Sequence, residues 1–137
     1  MVLLIDANIL LDVLQDRREF VRDSALIWKL CETEQMKGYI SVLSFANMMY
    51  IMRKELTPDK IEDVFRKLKL IFKFADFSTA VLDRAVAMNW KDFEDAVQYT
   101  VAETNGVDFI ITRNPHDFEE DEIPALTPEQ FLNAPHD

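Results

Sequence analysis

Two apolar runs in this sequence end abruptly in residues that carry side-chain oxygens. Residues 2–5 are followed by Asp6 and Asn8, and residues 107–111 are followed by the segment Thr-Arg-Asn-Pro-His-Asp at 112–117. Short apolar runs of this kind are typical of buried parallel strands, and in open α/β sheets the functional crevice lies beyond the carboxyl ends of the strands. Carboxylate and amide oxygens delivered to that edge would form a pocket for Mg²⁺ or Mn²⁺.

The third candidate segment is the start of a predicted helix, where three carboxylates fall within four residues. Asp92 is a good N-cap, and Glu94 and Asp95 favour the positive end of the helix dipole, so the segment has an ordinary structural explanation. Asp95 is explained less well, because it borders the buried face set by Ala96 and Val97. A carboxylate that points inwards needs a cation or hydrogen-bond donors, which makes Asp95 a candidate metal ligand.

Two interpretations also apply to the first strand end. Asp6 and Asn8 precede and begin a predicted helical turn, and both residue types are common helix caps. The position of Asp6 directly behind a buried strand favours metal ligation over a cap, whereas Asn8 is more readily explained as a cap. Asp12 falls one turn beyond Asn8 and could face either the pocket or solvent.

The remaining composition excludes several other chemistries. His116 and His136 are the only histidines, and the single cysteine, Cys31, has no partner at zinc-ligand spacing. The sequence contains neither a glycine-rich phosphate loop nor a G-x-S-x-G nucleophile motif. Metal-assisted phosphodiester hydrolysis fits this inventory of carboxylate and amide oxygens best.

The bulk properties predict one cytoplasmic globular domain over residues 1–137. A hydrophobic content of 49% is ample for a core, and 29% charged residues is ordinary for a soluble surface. No apolar run is long enough for a membrane span, and the opening run of four residues is too short for a secretory signal. A single cysteine indicates a reducing compartment.

The net charge of −10 is unfavourable for nucleic-acid binding, but the charge is unevenly distributed. Residues 53–73, the basic strip, carry a net charge of +3 while the remainder carries −13. The strip is either a solvated helix face, as the i,i+4 pairs Glu62–Arg66 and Asp63–Lys67 suggest, or a surface for a nucleic-acid backbone or a partner. A metal centre also attracts phosphate through its cation, so an acidic protein can act on RNA.

Strands and helices alternate along the chain, which predicts a three-layer α/β/α architecture with a parallel sheet. The predicted strands are 2–5, 39–42, 73–77, 107–111 and 124–126. The predicted helices are about 20–36, 44–55, one opening at Thr57-Pro58, one after the Ser78 cap, 93–104, and one opening with a capping box at 127–130. The excess of helix between 43 and 72 is interpreted as an inserted helical hairpin. Gly38 and Gly106 each follow a predicted helix, as expected for helix-terminating glycines.

Taken together, the three segments resemble the PIN-domain family, which is the fold of VapC-type ribonuclease toxins. The resemblance covers essentially the whole chain. It rests on Leu-Ile-Asp-Ala-Asn-Ile-Leu-Leu-Asp at 4–12, Asp-Phe-Glu-Asp-Ala at 92–96 and Phe-Ile-Ile-Thr-Arg-Asn-Pro-His-Asp-Phe at 109–118. It implies a five-stranded parallel sheet in the order 3-2-1-4-5, with acidic residues converging on one or two Mg²⁺ or Mn²⁺ ions.

Carried over by position, the resemblance makes Asp6 and Asp95 the first and third acidic residues of the family. The fourth position falls on Asn114, with Asp117 close behind. The second position departs from the usual pattern, because Asn47 stands where many members have a glutamate. A neutral amide lowers the ligand charge, so we expect weaker cation binding. Some PIN-like subgroups resemble this chain in having asparagine there.

The leading hypothesis is a metal-dependent endoribonuclease, in which a water activated by the cation attacks the phosphodiester. The residues expected to act in catalysis are Asp6, Asp95, Asn47 and Asn114. The expected metal ligands are Asp6, Asp95 and Asp117. The residues expected to orient these groups are Asn8, Thr112 and Asp92. The residues that could contact the scissile phosphate are Arg113 and Lys91.

The alternative is a catalytically degenerate PIN-like module that binds RNA or a protein partner through the same groove or through the basic strip. The absent glutamate and the net charge of −10 favour this alternative. Resemblance to VapC-type toxins further implies a small antitoxin as partner, and a homodimer.

Overall fold

The computed structural model describes residues 1–134, so His136 and its two neighbours lie outside the described part of the chain. Within residues 1–134 the strands are β1 (Val2–Ile5), β2 (Lys37–Ser41), β3 (Lys73–Ala75), β4 (Phe109–Ile111) and β5 (Ala125–Leu126). They form one parallel sheet in the order β3-β2-β1-β4-β5. This confirms the predicted α/β fold and the strand order that the resemblance implies.

Helices occupy both faces of this sheet. They are α1 (Ala7–Leu14), α2 (Val21–Glu32), α3 (Val42–Ile51), α4 (Pro58–Ile71), α5 (Thr79–Met88), α6 (Phe93–Thr104) and α7 (Pro128–Asn133), with a 3₁₀ turn at Pro115–Asp117. The side chains of Thr57, Ser78 and Asp92 cap their helices as predicted, and Thr127 opens α7 with a complete capping box. Each cap satisfies a backbone N–H that the helix itself leaves unpaired.

The residues of β1 show why the sheet is covered on both sides. Leu3 and Ile5 pack into one hydrophobic cluster, which also contains residues of α1 and α2, while Leu4 packs into a second cluster with residues of α5 and α6. Successive side chains of a strand point to opposite faces, so an unbroken apolar strand requires a core on each face. The two cores fix β1 at the centre of the sheet.

The central position of β1 determines where the site lies. β1 pairs with β2 on one side and with β4 on the other, and the backbone N–H of Asp6 donates to the carbonyl of Ile111 at 3.0 Å. β2 and β3 therefore lie on one side of β1, and β4 and β5 lie on the other side, so the order of the strands switches at β1. In open α/β sheets a crevice forms beyond the carboxyl ends of the strands at such a switch point.

The predicted element boundaries are wrong at several ends. β2 begins at Lys37 and ends at Ser41, because the Ser41 hydroxyl caps α3, which begins at Val42. β4 begins at Phe109, after Asp108, whose carboxylate accepts a hydrogen bond from the backbone N–H of Val2 at 2.8 Å. Two consecutive helices, α3 and α4, lie between β2 and β3, where the helical insertion was predicted.

The prediction of a helix-terminating glycine is confirmed at Gly106 and wrong at Gly38. Gly106 has φ +64 after the end of α6, which is the left-handed conformation that favours glycine. Gly38 lies inside β2 instead, and the left-handed residue after α2 is Glu34. The position of Gly38 has no room for a side chain, because a Cβ there would lie 2.8 Å from both the Cys31 sulfur and the Phe72 ring. Among the described residues, no helix is long and apolar enough to cross a membrane.

Candidate metal site at the carboxyl edge of the sheet

Asp6 and Thr112 meet where β1 and β4 end. Asp6 is the N-cap of α1, and its Oδ1 accepts from the backbone N–H of Ala7 at 2.8 Å. Its Oδ2 accepts from the Thr112 hydroxyl at 3.0 Å, and the same hydroxyl accepts from the backbone N–H of Asn114 at 3.3 Å. Both oxygens of the Asp6 carboxylate are thus held in place by neighbouring donors.

A pocket of about 310 Å³ opens beside this carboxylate. It brings together eight of the residues predicted from sequence: Asp6, Asn8, Asn47, Asp92, Asp95, Thr112, Asn114 and Asp117. Its other lining residues are Ala7, Tyr50, Ile51 and Glu94. Within the described chain, neither a lysine nor an arginine lines this pocket, and it carries five carboxylates.

Three of these carboxylates form a compact group of possible ligands. Asp92, Asp95 and Asp117 each offer an oxygen, and these oxygens all lie within 4.8 Å of one another. Asp92 also caps α6, since its Oδ1 accepts from the backbone N–H of Asp95 at 3.0 Å. Asp117 reaches the group from the 3₁₀ turn after β4. Hard oxygen ligands at this spacing suit Mg²⁺ or Mn²⁺.

The electrostatics of the pocket disfavour uncompensated negative charge. Burial raises the pKa of Asp6 above its ordinary 3.8, and the neighbouring Asp92 carboxylate adds to this effect. Burial, followed by three nearby carboxylates, raises the pKa of Asp95 from 3.8 to about 7. Removal of charges from water and their mutual repulsion both penalise the ionised form. A divalent cation would relieve both effects, so the donor set fits such an ion.

Glu94 also belongs to this pocket, although the sequence pattern assigned it only to the helix dipole. Asn47, on α3, donates from its Nδ2 to Oε1 of Glu94 at 2.7 Å. Burial, followed by the Asp6 and Asp92 carboxylates, raises the pKa of Glu94 above its ordinary 4.5. The asparagine at position 47, where many family members have a glutamate, could have drawn attention to Glu94. A neutral residue at that position suggests that another carboxylate nearby takes its place.

The two cations predicted to contact phosphate do not line the pocket. The guanidinium of Arg113 forms an ion pair with Asp12 and stacks on the Phe20 ring at 3.9 Å, and Arg113 lines a separate cavity of about 400 Å³. Lys91 lies beside an adjoining depression that shares Asp92 and Asp117 with the pocket. The structure thus places Arg113 in a separate cavity and Lys91 at the margin of the carboxylate pocket, beside Asp92 and Asp117.

Asp12 faces neither the pocket nor solvent, the two alternatives that its position in the sequence suggested. It is completely buried, and its Oδ2 accepts from the Ser24 hydroxyl at 2.8 Å. Its Oδ1 faces Arg113 and also Arg17, whose guanidinium lies 3.7 Å away. Asp12 therefore compensates the charge of Arg113 behind the turn that carries Thr112 and Asn114.

Comparison with known proteins shows the family of this fold. The family model described as the PIN domain matches residues 2–116, which is most of the chain. "Ribonuclease VapC1" of Aquifex aeolicus is 24% identical over 132 residues, covering 93% of this chain and 90% of the relative.

Solved structures share the fold over nearly the same length. A toxin–antitoxin complex from Klebsiella pneumoniae contains a chain that is 24% identical, with a TM-score of 0.67 and coverage of 91% of this chain and 96% of that one. VapBC2 from Rickettsia felis, bound to a DNA fragment from its promoter, matches at 12% identity with a TM-score of 0.69, covering 93% and 98%. At these identities the structures support the fold alone.

Proposed function

The chain belongs to the PIN domain family, and from that premise we propose that it is a metal-dependent endoribonuclease that hydrolyses RNA phosphodiester bonds. The observation that carries the proposal is the convergence of four aspartates, Asp6, Asp92, Asp95 and Asp117, in one pocket at the carboxyl edge of the sheet. The similarity to a protein named as a ribonuclease supports the same activity.

The proposed metal ligands are Asp6 and Asp95, as the family pattern implies, Asp117, which follows the fourth family position, and Asp92. Asp92 joins them because its oxygen lies within 4.8 Å of those of Asp95 and Asp117. The raised pKa values of Asp6 and Asp95 support this assignment, since these carboxylates gain most from a cation. When bound, Mg²⁺ or Mn²⁺ would lower the pKa of a water molecule and neutralise charge on the phosphodiester.

The other polar residues of the pocket orient these groups. The Thr112 hydroxyl donates to Asp6 and accepts from the backbone N–H of Asn114, so one side chain links the ends of β1 and β4. Asn114 and Asn8 line the same space, and the Oδ1 of Asn8 also accepts from Arg17 at 3.2 Å. An amide can both donate to a phosphate oxygen and accept from a water, which is the role we assign to them.

A chelator and a double variant test the activity. We expect wild-type protein to cleave RNA with Mn²⁺ or Mg²⁺, and to lose this activity in EDTA. The Asp6→Asn/Asp95→Asn variant should lose at least about 100-fold in rate, because second-sphere changes alone cost about 10- to 100-fold at metal sites. Asp83→Asn, which removes an exposed carboxylate on α5, is the control and should cleave normally. Cleavage by the double variant in EDTA would refute the mechanism.

We further propose that the protein is the toxin of a toxin–antitoxin pair and forms a homodimer. The reason for this proposal is that chains with the same fold occur in toxin–antitoxin complexes and that the relative VapC1 is named as a ribonuclease. Induced expression should arrest growth, and the Asp6→Asn/Asp95→Asn variant should not. Light scattering on the purified protein should give twice the chain mass of 16.0 kDa. Unchanged growth while intact wild-type protein accumulates would count against the toxin role.

A further inference from the structure

Asn47 and Glu94 form a direct contact between two helices that border the metal pocket. Asn47 lies on α3 and Glu94 in the first turn of α6, and the Nδ2–Oε1 distance is 2.7 Å. Both residues line the pocket together with Asp6. The contact therefore places a carboxylate from α6 beside the position on α3 that is neutral in this chain.

A helix-dipole role does not account for this placement. Asp92 already caps α6, with its carboxylate on the backbone N–H of Asp95. An acidic residue that only complements the dipole needs no partner on another helix. The Glu94 carboxylate instead accepts from Asn47 on α3 and lines the same pocket as Asp6 and Asp92. Carboxylates that share one pocket repel each other unless a cation is bound among them.

The hydrogen bond to Asn47 leaves Glu94 able to bind a cation. A carboxylate has two oxygens with about four lone-pair sites, and the Asn47 amide occupies one of them. The same bond fixes the direction of the side chain, as second-sphere donors do for metal-binding carboxylates. In this pair Glu94 is the possible metal ligand, and Asn47 is the residue that orients it.

We propose that Glu94 supplies to the metal pocket the carboxylate that Asn47 does not, and that Asn47 acts as a positioning residue by donating to Glu94. This inference rests on the proposed metal-dependent function. It changes the expected strength of the site, because Glu94 adds a carboxylate to the four aspartates that line the pocket. Ligand charge is a main determinant of divalent-cation affinity.

Mn²⁺ titration by calorimetry, with electron paramagnetic resonance of free Mn²⁺ as a second readout, tests the inference without relying on activity. Glu94→Gln removes the charge but keeps an oxygen that can accept from Asn47. We expect its dissociation constant for Mn²⁺ to rise by about tenfold or more. Glu32→Gln, an exposed glutamate at the end of α2, is the matched control and should bind like wild type.

A charge exchange adds a second test. In Asn47→Glu/Glu94→Gln the carboxylate returns to α3 and the amide moves to α6, so Mn²⁺ affinity should recover to within about threefold of wild type if charge is what matters. Wild-type affinity in Glu94→Gln, with wild-type protein binding Mn²⁺ and cleaving RNA, would overturn this inference alone. Wild-type protein that binds no Mn²⁺ would overturn both this inference and the proposed function.

Discussion

Asp95 should make the metal-free protein less stable as the pH rises, and Asp95→Asn should remove this effect. The folded-state pKa of about 7 lies above the ordinary value of 3.8, so the folded state binds the proton more tightly than the unfolded state. The stabilisation from this carboxyl is complete below about pH 4 and is lost as the pH rises to about 7. The substituted amide does not titrate, so the difference between the two proteins should grow over the same range.

The magnitude follows from the difference between these two pKa values. At about 1.4 kcal/mol for each tenfold change in proton affinity, the difference corresponds to about 4 kcal/mol. Asp95 is only half-buried, so solvent screening reduces the expected effect to about 1–2 kcal/mol. For a chain of this length that corresponds to about 3–6 °C in the melting temperature.

Urea denaturation in EDTA at pH 5.0, 6.5 and 8.0 measures this effect. We expect Asp95→Asn to gain about 1 kcal/mol in unfolding free energy relative to wild type between pH 5.0 and 8.0, because part of the effect is already lost below pH 5.0. Asp83→Asn is the control, because its carboxylate is exposed on α5 outside the pocket, and its difference from wild type should not change in this way. A difference for Asp95→Asn that stays constant, or that falls as the pH rises, would refute the electrostatic reasoning.

Three further outcomes are expected from the same structure. Asp12→Ala should destabilise the fold by about 3–5 kcal/mol in urea denaturation, because it leaves the partly buried Arg113 without its counter-charge. A loss below about 1 kcal/mol would show that water solvates the charge of Arg113 in the variant. Gly38→Ala should cost about 1–3 kcal/mol, since its Cβ would lie 2.8 Å from Cys31 and Phe72, and an unchanged melting temperature would mean that both side chains can move aside. Mn²⁺ at about 100 times its dissociation constant should raise the unfolding free energy by about 2.7 kcal/mol, reversibly with EDTA, whereas a melting temperature that is the same with Mn²⁺ and with EDTA would contradict metal binding.

Features that depend on residues close together in the chain could be predicted from the amino-acid sequence. The apolar run of β1 and the polar residues directly behind it predict both a buried strand and a site at its carboxyl end, and Asp6 lies in the pocket as expected. Helix caps such as Asp92 and Thr127 were predictable because a cap bonds a backbone N–H within three residues. Both partners of such a hydrogen bond lie in the same short segment, so the amino-acid sequence of that segment is enough to predict it.

The direction of side chains whose partners are distant in the chain could not be predicted in this way, because it depends on how the helices and strands pack. Glu94 meets Asn47 across 47 positions, and Arg113 turns away from the pocket towards Asp12. Gly38 likewise has no room for a Cβ because Phe72, the residue after α4, lies against it. Local propensities are equally compatible with several directions for these side chains, because burial and charge compensation depend on which helices pack together. The backbone pattern therefore predicts where the site forms, whereas packing decides which charged groups enter it.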